Sequence, residues 1–578
     1  MWVLRRIGTV LRLFALTIDV ADGLAQDEHV RAVALLALLI AACSSPSVRT
    51  RPALDDWRDR VIYEVVTDRF ANGDPSNDTI DGVGPMPSDL SRWQGGDWRG
   101  ITEHLDYLER LGVSAIWISP ILRNVPRMDV GDGYHGYWSA TLTELEPHFG
   151  TLEDLQDLVA RAHARDIAIL LDVVPNHTGR VFDYDLDRDG IDDPEEAQPA
   201  FSDTPYDVPL LWSFTPEMFA PDGSTFMLTS EHFHRRGRGE LDIPIQRRYG
   251  DFPDGLRDLD TENDAVVDAE IATYVHWAEL TGVDGFRIDA VPHVDVAFWP
   301  RFSSGVRARM HALGVDHFFL LGEIFDGDEL IASYTAPDGS IDAAFDVPFF
   351  LGVIANVVLG GKPPSMAEPM LSLARATFRN HAQAGGIELS PWQARVSLVD
   401  SHDLPRVRYG TDPFAADQAI VLMFMIDAIP CVYSGTEAEL AGGEVPLSRE
   451  RLWDTGYRED LGSFALIRRL SELRRAHPAL RRGDLVVRAL STVGGLELDT
   501  TQADAGALVF ERSSDNDHVL VALSTHPTHG AALTVMSRFP GGTRLVDALT
   551  GEVHVTVLRD GSVPLAIEPR RSLVLVAE

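Results

Sequence analysis

Two stretches decide how this chain folds: IAILLDVVPNH, Ile167 to His177, and VDGFRIDAVPH, Val283 to His293. Each opens as an apolar run and closes on charged or hydrogen-bonding side chains. A strand with one face in water alternates apolar and polar residues. One covered on both faces reads as a continuous apolar run, as in a parallel sheet packed under helices. Working outward, six more such runs appear: VIYEVV (Val61 to Val66), SAIWIS (Ser114 to Ser119), FFLLGEIF (Phe318 to Phe325), IDAAFD (Ile341 to Asp346), VSLVD (Val396 to Asp400) and IPCVYSG (Ile429 to Gly435). Helical patterns lie between them. Ile101, Leu105, Leu108 and Leu111 recur at spacings of three and four, and Thr151 with Asp154 resembles a capping box ahead of Leu155, Leu158 and Ala162. Eight buried strands separated by helices predict an α/β protein built on a closed (β/α)8 TIM barrel.

The gap after the third run, residues 178–257, is too long for one helix and is rich in Asp, Pro, Gly and aromatic residues. It reads as a small domain inserted in a βα loop. Beyond Pro478 the pattern changes to short alternating segments such as LVVRAL, ALVFER, VLVALS and SLVLVAE, which predict an antiparallel β-domain. The expected division is a leader at 1–43, a linker at 44–56, barrel segments at 57–177 and 258–481 flanking the insert at 178–257, and the β-domain at 482–578.

Composition narrows the function. With 45% apolar and 24% charged residues the 578-residue chain is ordinary globular material, but its net charge of −38 repels phosphate backbones, so nucleic acid is excluded as a partner. Two cysteines rule out a disulfide scaffold and a cysteine-built zinc site. Cys43 follows AVALLALLIAA (Ala32 to Ala42), itself preceded by Arg31, and Ile40-Ala41-Ala42-Cys43 resembles a bacterial lipobox. The expectation is export, with lipidation of Cys43 and a place on the cell envelope or outside the cell, the lipid anchor being the only membrane contact. Cys431, inside an apolar run, reads as a buried small hydrophobe.

In such a barrel, chemistry belongs at the C-terminal ends of the strands. There the sequence places Asp172, Asn176 and His177; Arg287, Asp289 and His293; Glu323; and Asp400, His402 and Asp403. A ring of charge on otherwise apolar strands is costly unless used or paired. Paired carboxylates across a cleft are the equipment of glycoside hydrolysis, one attacking the anomeric carbon and the other protonating the leaving oxygen. Arg287 and Asp289, two apart on a strand, point to the same face, so the arginine favours an ionised aspartate, as a nucleophile requires. Glu323 follows FFLLG, an apolar setting expected to raise its pKa as an acid requires.

These residues resemble the α-amylase family of retaining glycoside hydrolases. Its four signatures stand in order as DVVPNH (Asp172 to His177), GFRIDAVPH (Gly285 to His293), GEIF (Gly322 to Phe325) and VDSHD (Val399 to Asp403), joined by YHGYW (Tyr134 to Trp138), LRDLD (Leu256 to Asp260) and VYSGTE (Val432 to Glu437). The resemblance implies the barrel with a domain B after strand three and a C-terminal antiparallel β-sandwich. It makes Asp289 the nucleophile, Glu323 the general acid/base and Asp403 the transition-state stabiliser. It adds Arg287, His177, His402, Tyr137, His135, Trp138 and His293 as substrate-binding residues. The implied substrate is an α-glucan. There are departures: Leu398 and Ser401 stand where the family usually has an aromatic residue and an asparagine, and Pro292 replaces a common lysine, whereas Ala290-Val291 resembles α-1,4-acting members.

Calcium is the expected ion. DLDRDGIDDPEE, Asp185 to Glu196, fits the EF-hand loop, with Asp185, Asp187, Asp189 and Glu196 as side-chain ligands, Ile191 offering its carbonyl and Asp193 a water-mediated contact. By resemblance, a second site similar to the N-terminal calcium loop of cyclodextrin glycosyltransferases would use Asn72, Asp74, Asn77, Asp78, Gly95 and Asp97. An interdomain site would use Asn176, Asp258 and the His293 carbonyl. The leading expectation is an endo-acting α-1,4-glucan hydrolase. Its competitors are a cyclodextrin-degrading or maltogenic exo-type hydrolase, a glucanotransferase and a non-catalytic glycan-binding protein. Against the transferase, Asp254 stands at that group's central aromatic position; against the binding protein, all three catalytic carboxylates are present.

Overall fold

The computed structural model describes Leu54 and residues 56–578, apart from 192–196, 338–339, 379–380 and 495–500. The leader with Cys43, most of the linker, and Asp193 and Glu196 of the acidic loop lie outside the described residues. Among the described residues no helix is long and apolar enough to cross a membrane.

All eight apolar runs become parallel barrel strands: β1 (Ile62–Val65), β2 (Ala115–Ile118), β3 (Ala168–Val173), β4 (Gly285–Ile288), β5 (Phe319–Gly322), β6 (Ala343–Ala344), β7 (Val396–Ser397) and β8 (Ile429–Tyr433). They pair in sequence order, β8 returns to β1, and a Phe345 to Val396 bridge joins the β6 and β7 sides. Where that bridge closes the barrel the strands are shortest, since β6 and β7 have two residues each. Alternation along the strands separates two cores. Ile62, Ala115, Trp117, Ala168, Leu170, Phe319, Leu321, Ile429 and Cys431 fill the barrel, while Tyr63, Ile116, Ile169, Phe286 and Leu320 pack outward. Cys431 is a buried free thiol.

The Ile101 to Leu111 pattern is two helices, α1 (Trp98–Glu103) and α2 (Leu105–Leu111), because His104 leaves helical geometry and its ring bonds the Gly100 carbonyl. Helix α3 (Leu152–His163) opens on the expected capping box of Thr151 and Asp154. The insert begins and ends on one antiparallel pairing, His177 with Asp258 and Thr178 with Arg257, which brings the end of β3 back beside the segment leading to β4. Within it, helix α4 (Pro244–Tyr249) buries none of its residues. Helix α5 (Asp264–Thr281) then returns the chain to β4.

The C-terminal segment forms a six-stranded and a two-stranded antiparallel sheet. Ala507, Val509, Leu520, Leu573 and Leu575 of the larger sheet share one core with Ala531, Val535, Val563 and Leu565 of the smaller, which makes it a sandwich.

Candidate active site

On several strands the inward face changes from apolar to polar toward the C-terminal end: Leu170 then Asp172 on β3, and Leu321 then Glu323 after β5. Strand register sets Arg287 beside Asp172 on one side and Leu321 on the other. Above this layer opens a cavity of about 860 Å³. It is lined by Asp289, Glu323, Asp403, Arg287, His177, His402, Tyr137, His135, Trp138 and His293, every catalytic and substrate-binding residue expected from the sequence.

One guanidinium organises the centre. Arg287 Nη1 lies 2.7 Å from Asp289 and 3.0 Å from Asp172, and its Nη2 lies 2.9 Å from Glu323. Burial raises the Asp289 pKa, Arg287 opposes it, and neighbouring Glu323 and Asp172 add to the rise. Burial likewise pushes Asp172 up to about 6 against Arg287, Tyr137, His402 and Trp117. Asp172 is a positioning group: it accepts from Tyr137 Oη at 2.7 Å and Trp117 Nε1 at 2.9 Å while holding Arg287.

Glu323 does not have the apolar surround expected from FFLLG. Its carboxylate faces the cleft, 28% exposed, against Arg287 and the Ala290 N–H at 3.2 Å. The apolar residues belong to the strand below, and the chain has turned toward the cleft by the time it reaches the carboxylate. Ala290 donates from a left-handed conformation, φ 51°, that a non-glycine residue adopts at a cost on the order of 1 kcal/mol. This strained turn directly after Asp289 aims a backbone N–H at Glu323.

Asp403 is gripped from both sides. His402 Nε2 lies 2.9 Å from it and Arg449 Nη2 donates to it at 3.0 Å. Burial alone would raise its pKa, but His402, Arg449 and Arg287 hold it well below the usual carboxylate range. His402 is fixed in turn by Glu64 of β1, 2.5 Å from Nδ1, and stacks on Tyr137 with ring centres 5.2 Å apart. Where the family usually has an asparagine, Ser401 Oγ accepts the Asp403 N–H at 3.2 Å.

Burial disfavours a charged His402, yet Asp403 and Glu64 push its pKa up to about 10 from the ordinary 6.5. The folded protein thus holds this proton more tightly than the unfolded chain. The stabilisation is complete below pH 6.5 and is lost as pH rises through about 10. The melting temperature is expected to fall across that window, and His402→Gln to flatten that part of the profile. An unchanged slope in the variant would place the alkaline loss elsewhere.

Burial disfavours the charged form of the other histidines that line the cavity. Burial takes His177 down to about 3 and His293 to about 4, and also lowers His135. His177 stacks on Phe252, and its Nε2 is buried with no partner among the described residues, a polar atom suited to a sugar hydroxyl. Glu64, Trp117, Arg449, Arg247 and Phe252 were not singled out by sequence reasoning. Only Glu64, the one carboxylate inside VIYEVV, carried a local signal.

The acidic loop brings one oxygen each of Asp185, Asp187 and Asp189 within 4.8 Å of one another, around a left-handed Gly190. Ile191 is exposed beside them. An all-oxygen set at alternate positions of a turn fits calcium. In the N-terminal loop, Asn72 bonds Asp78 at 2.7 Å, and a side chain on Gly95 (φ 101°) would strike both. The Asn77 side-chain oxygen is buried without a partner among the described residues. Asp74 and Asp97 are committed elsewhere, Asp74 to Arg99 and Ser76, and Asp97 to the backbone N–H groups of Gly73, Asp74 and Gly100.

The interdomain trio fits less well. His234 Nδ1 lies 2.5 Å from the Asp258 carboxylate and its Nε2 2.8 Å from Glu262. Burial disfavours a charged His234, but Asp258 and Glu262 push its pKa up to about 10, so a cation already faces Asp258. Asn176 bonds the neighbouring His177 ring, and the His293 ring bonds the Arg247 carbonyl.

A barrel whose rim sets two carboxylates on one arginine and a third between histidine and arginine has the layout that the α-amylase resemblance implies. A family model described as alpha amylase, catalytic domain, matches residues 64–460. The chain belongs to the α-amylase family. An alpha-amylase of Streptomyces lividans is 31% identical over 69% of this chain and 48% of its own length. A beta/alpha-amylase of Paenibacillus polymyxa is 28% identical over 89% of this chain and 37% of its own length. The chain therefore spans less than half the length of these two relatives. Among solved structures, an Anoxybacillus alpha-amylase matches with a TM-score of 0.69 at 26% identity, covering 90% of this chain and 98% of that one.

Proposed function

We propose that the protein hydrolyses internal α-1,4-glucosidic bonds of starch, glycogen or maltooligosaccharides with retention of configuration. The observation that carries this reading is the pair Asp289 and Glu323 on neighbouring strand ends, held by two nitrogens of one guanidinium. Asp289 attacks the anomeric carbon while Glu323 gives its proton to the departing glycosidic oxygen, leaving a glycosyl–Asp289 ester and a shortened glucan. Glu323, now a carboxylate, takes a proton from water. The resulting oxygen nucleophile displaces Asp289, which frees the sugar and restores both groups. Asp403, kept ionised by His402 and Arg449, steadies positive charge at the sugar ring and binds its hydroxyls. The 860 Å³ cavity is open at the rim, which supports entry of a polymer chain.

The test is a time course of products from soluble starch and maltoheptaose, with an Asp289→Asn control. Mixed short maltooligosaccharides appearing early are expected. A single product, cyclic products or longer chains would move the assignment to an exo-type hydrolase or a transferase.

Calcium at Asp185, Asp187 and Asp189 is part of this reading, as is export with lipidation at Cys43. Bound calcium would neutralise the repulsion among the three carboxylates and stabilise the fold by linkage. Chelation is expected to lower the melting temperature, and Asp187→Asn with Asp189→Asn to reduce that shift. An identical melting temperature with and without chelator would overturn the calcium assignment. Mass spectrometry of the envelope form should find diacylglycerol on Cys43, and an unmodified Cys43 would overturn the lipidation.

A further inference from the structure

We infer that Arg247, carried on the inserted domain, binds the sugar on the leaving side of the scissile bond and sets how strongly the enzyme prefers longer chains. The inference rests on the hydrolase reading above. Direction comes from the acid. Glu323 protonates the leaving oxygen and therefore stands on that side of the bond. The chain runs outward from it through Phe325, which lines the cavity, to Asp326. Arg247 Nη1 lies 3.6 Å from Asp326, and the Arg247 carbonyl accepts from His293 Nδ1 at 3.1 Å. These contacts place Arg247 beyond the acid. The grip formed by Tyr137, His402 and Asp403 is built on other strand ends.

Three arginines line the cavity, and among the described residues Arg247 is the one whose terminal nitrogens make no hydrogen bond. Arg287 is shared among three carboxylates, and Arg449 is used by Asp403, the His402 carbonyl and Tyr134. Arg247 makes one long ion pair to an exposed partner, a contact of little energetic weight, and its side chain has no hydrogen bond within the described residues. Its neighbour Arg248 is tied to Asp295 at 2.9 Å. Leu241, Phe325 and Pro292, which also line the cavity, carry no side-chain donor. A planar guanidinium presents two parallel N–H groups that match adjacent hydroxyls of a glucose ring. The His293 bond to its carbonyl and the Arg248 ion pair hold the short helix α4 in place, so the side chain is presented from a fixed base.

The experiment compares kcat/KM for maltopentaose with kcat/KM for α-maltosyl fluoride, whose leaving group carries no sugar, in the full-length wild type and in Arg247→Ala, Arg247→Gln and Arg247→Lys. The ratio is expected to fall roughly 10- to 100-fold in the Ala and Gln variants, as for loss of charge-assisted hydrogen bonds, and to recover in part with Lys. The Gln variant keeps most of the side-chain bulk, so the comparison survives if Ala loosens α4. Wild-type turnover with an unchanged ratio in both Ala and Gln, or an equal fall on both substrates, would overturn this inference alone. No wild-type turnover of either substrate would overturn the hydrolase reading and this inference with it.

Discussion

Asp289→Asn is expected to lower starch hydrolysis by on the order of 10⁴- to 10⁶-fold while leaving maltoheptaose binding within a few-fold of wild type. The size follows from the role. The carboxylates nearest to it are engaged otherwise: Glu323 is the proposed acid, Asp172 is committed to Tyr137, Trp117 and Arg287, and Asp403 to His402 and Arg449. Binding should survive because asparagine has nearly the same shape and Arg287 keeps two of its three carboxylate partners. Calorimetric titration with maltoheptaose beside turnover of starch separates the two effects. Residual activity within tenfold of wild type would remove Asp289 from the nucleophile's role.

Glu323→Gln is expected to cost roughly 10²- to 10⁴-fold on starch, the range for a lost general acid, and far less in the first step with α-maltosyl fluoride. Fluoride departs without a proton, whereas a glucosyl oxygen does not. The glutamine keeps an oxygen to accept from the Ala290 N–H and from Arg287, so the strained turn after the nucleophile is retained. Its second step lacks the base that activates water, so the glycosyl–Asp289 ester should accumulate, and azide, which needs no deprotonation, should release it. Equal losses on starch and fluoride in a pre-steady-state burst, with no rescue by azide, would exclude Glu323 as the acid/base.

Much of this site was legible before any coordinates. Arg287 and Asp289 are two residues apart on a strand, and that spacing alone puts them on one face, where they meet at 2.7 Å. The environment of Glu323 was not legible, because what surrounds a carboxylate at a strand end depends on where the chain turns and what crosses above it. The grip on Asp403 is the clearest case. Glu64 lies 338 residues from His402 in the chain, and Arg449 lies 315 residues from Tyr134. No local periodicity reports such a pairing. His234 was missed for the same reason: only the pairing of Thr178 with Arg257 and His177 with Asp258 brings the insert back against the barrel segment that carries Glu262.

The sequence by itself determined the eight buried strands, the inserted and C-terminal domains, and the row of carboxylates at the strand ends, because burial on both faces and the two-residue strand repeat are local properties written into each run. Only the tertiary structure decided which charges neutralise one another. It set one arginine among three carboxylates, a histidine between Glu64 and Asp403, an imidazolium against Asp258, and a lightly engaged Arg247 on the cavity wall. The reason is physical: electrostatic and hydrogen-bond partnerships depend on distance in space and on exclusion of water, and both are set when the barrel closes and the insert folds back over its rim.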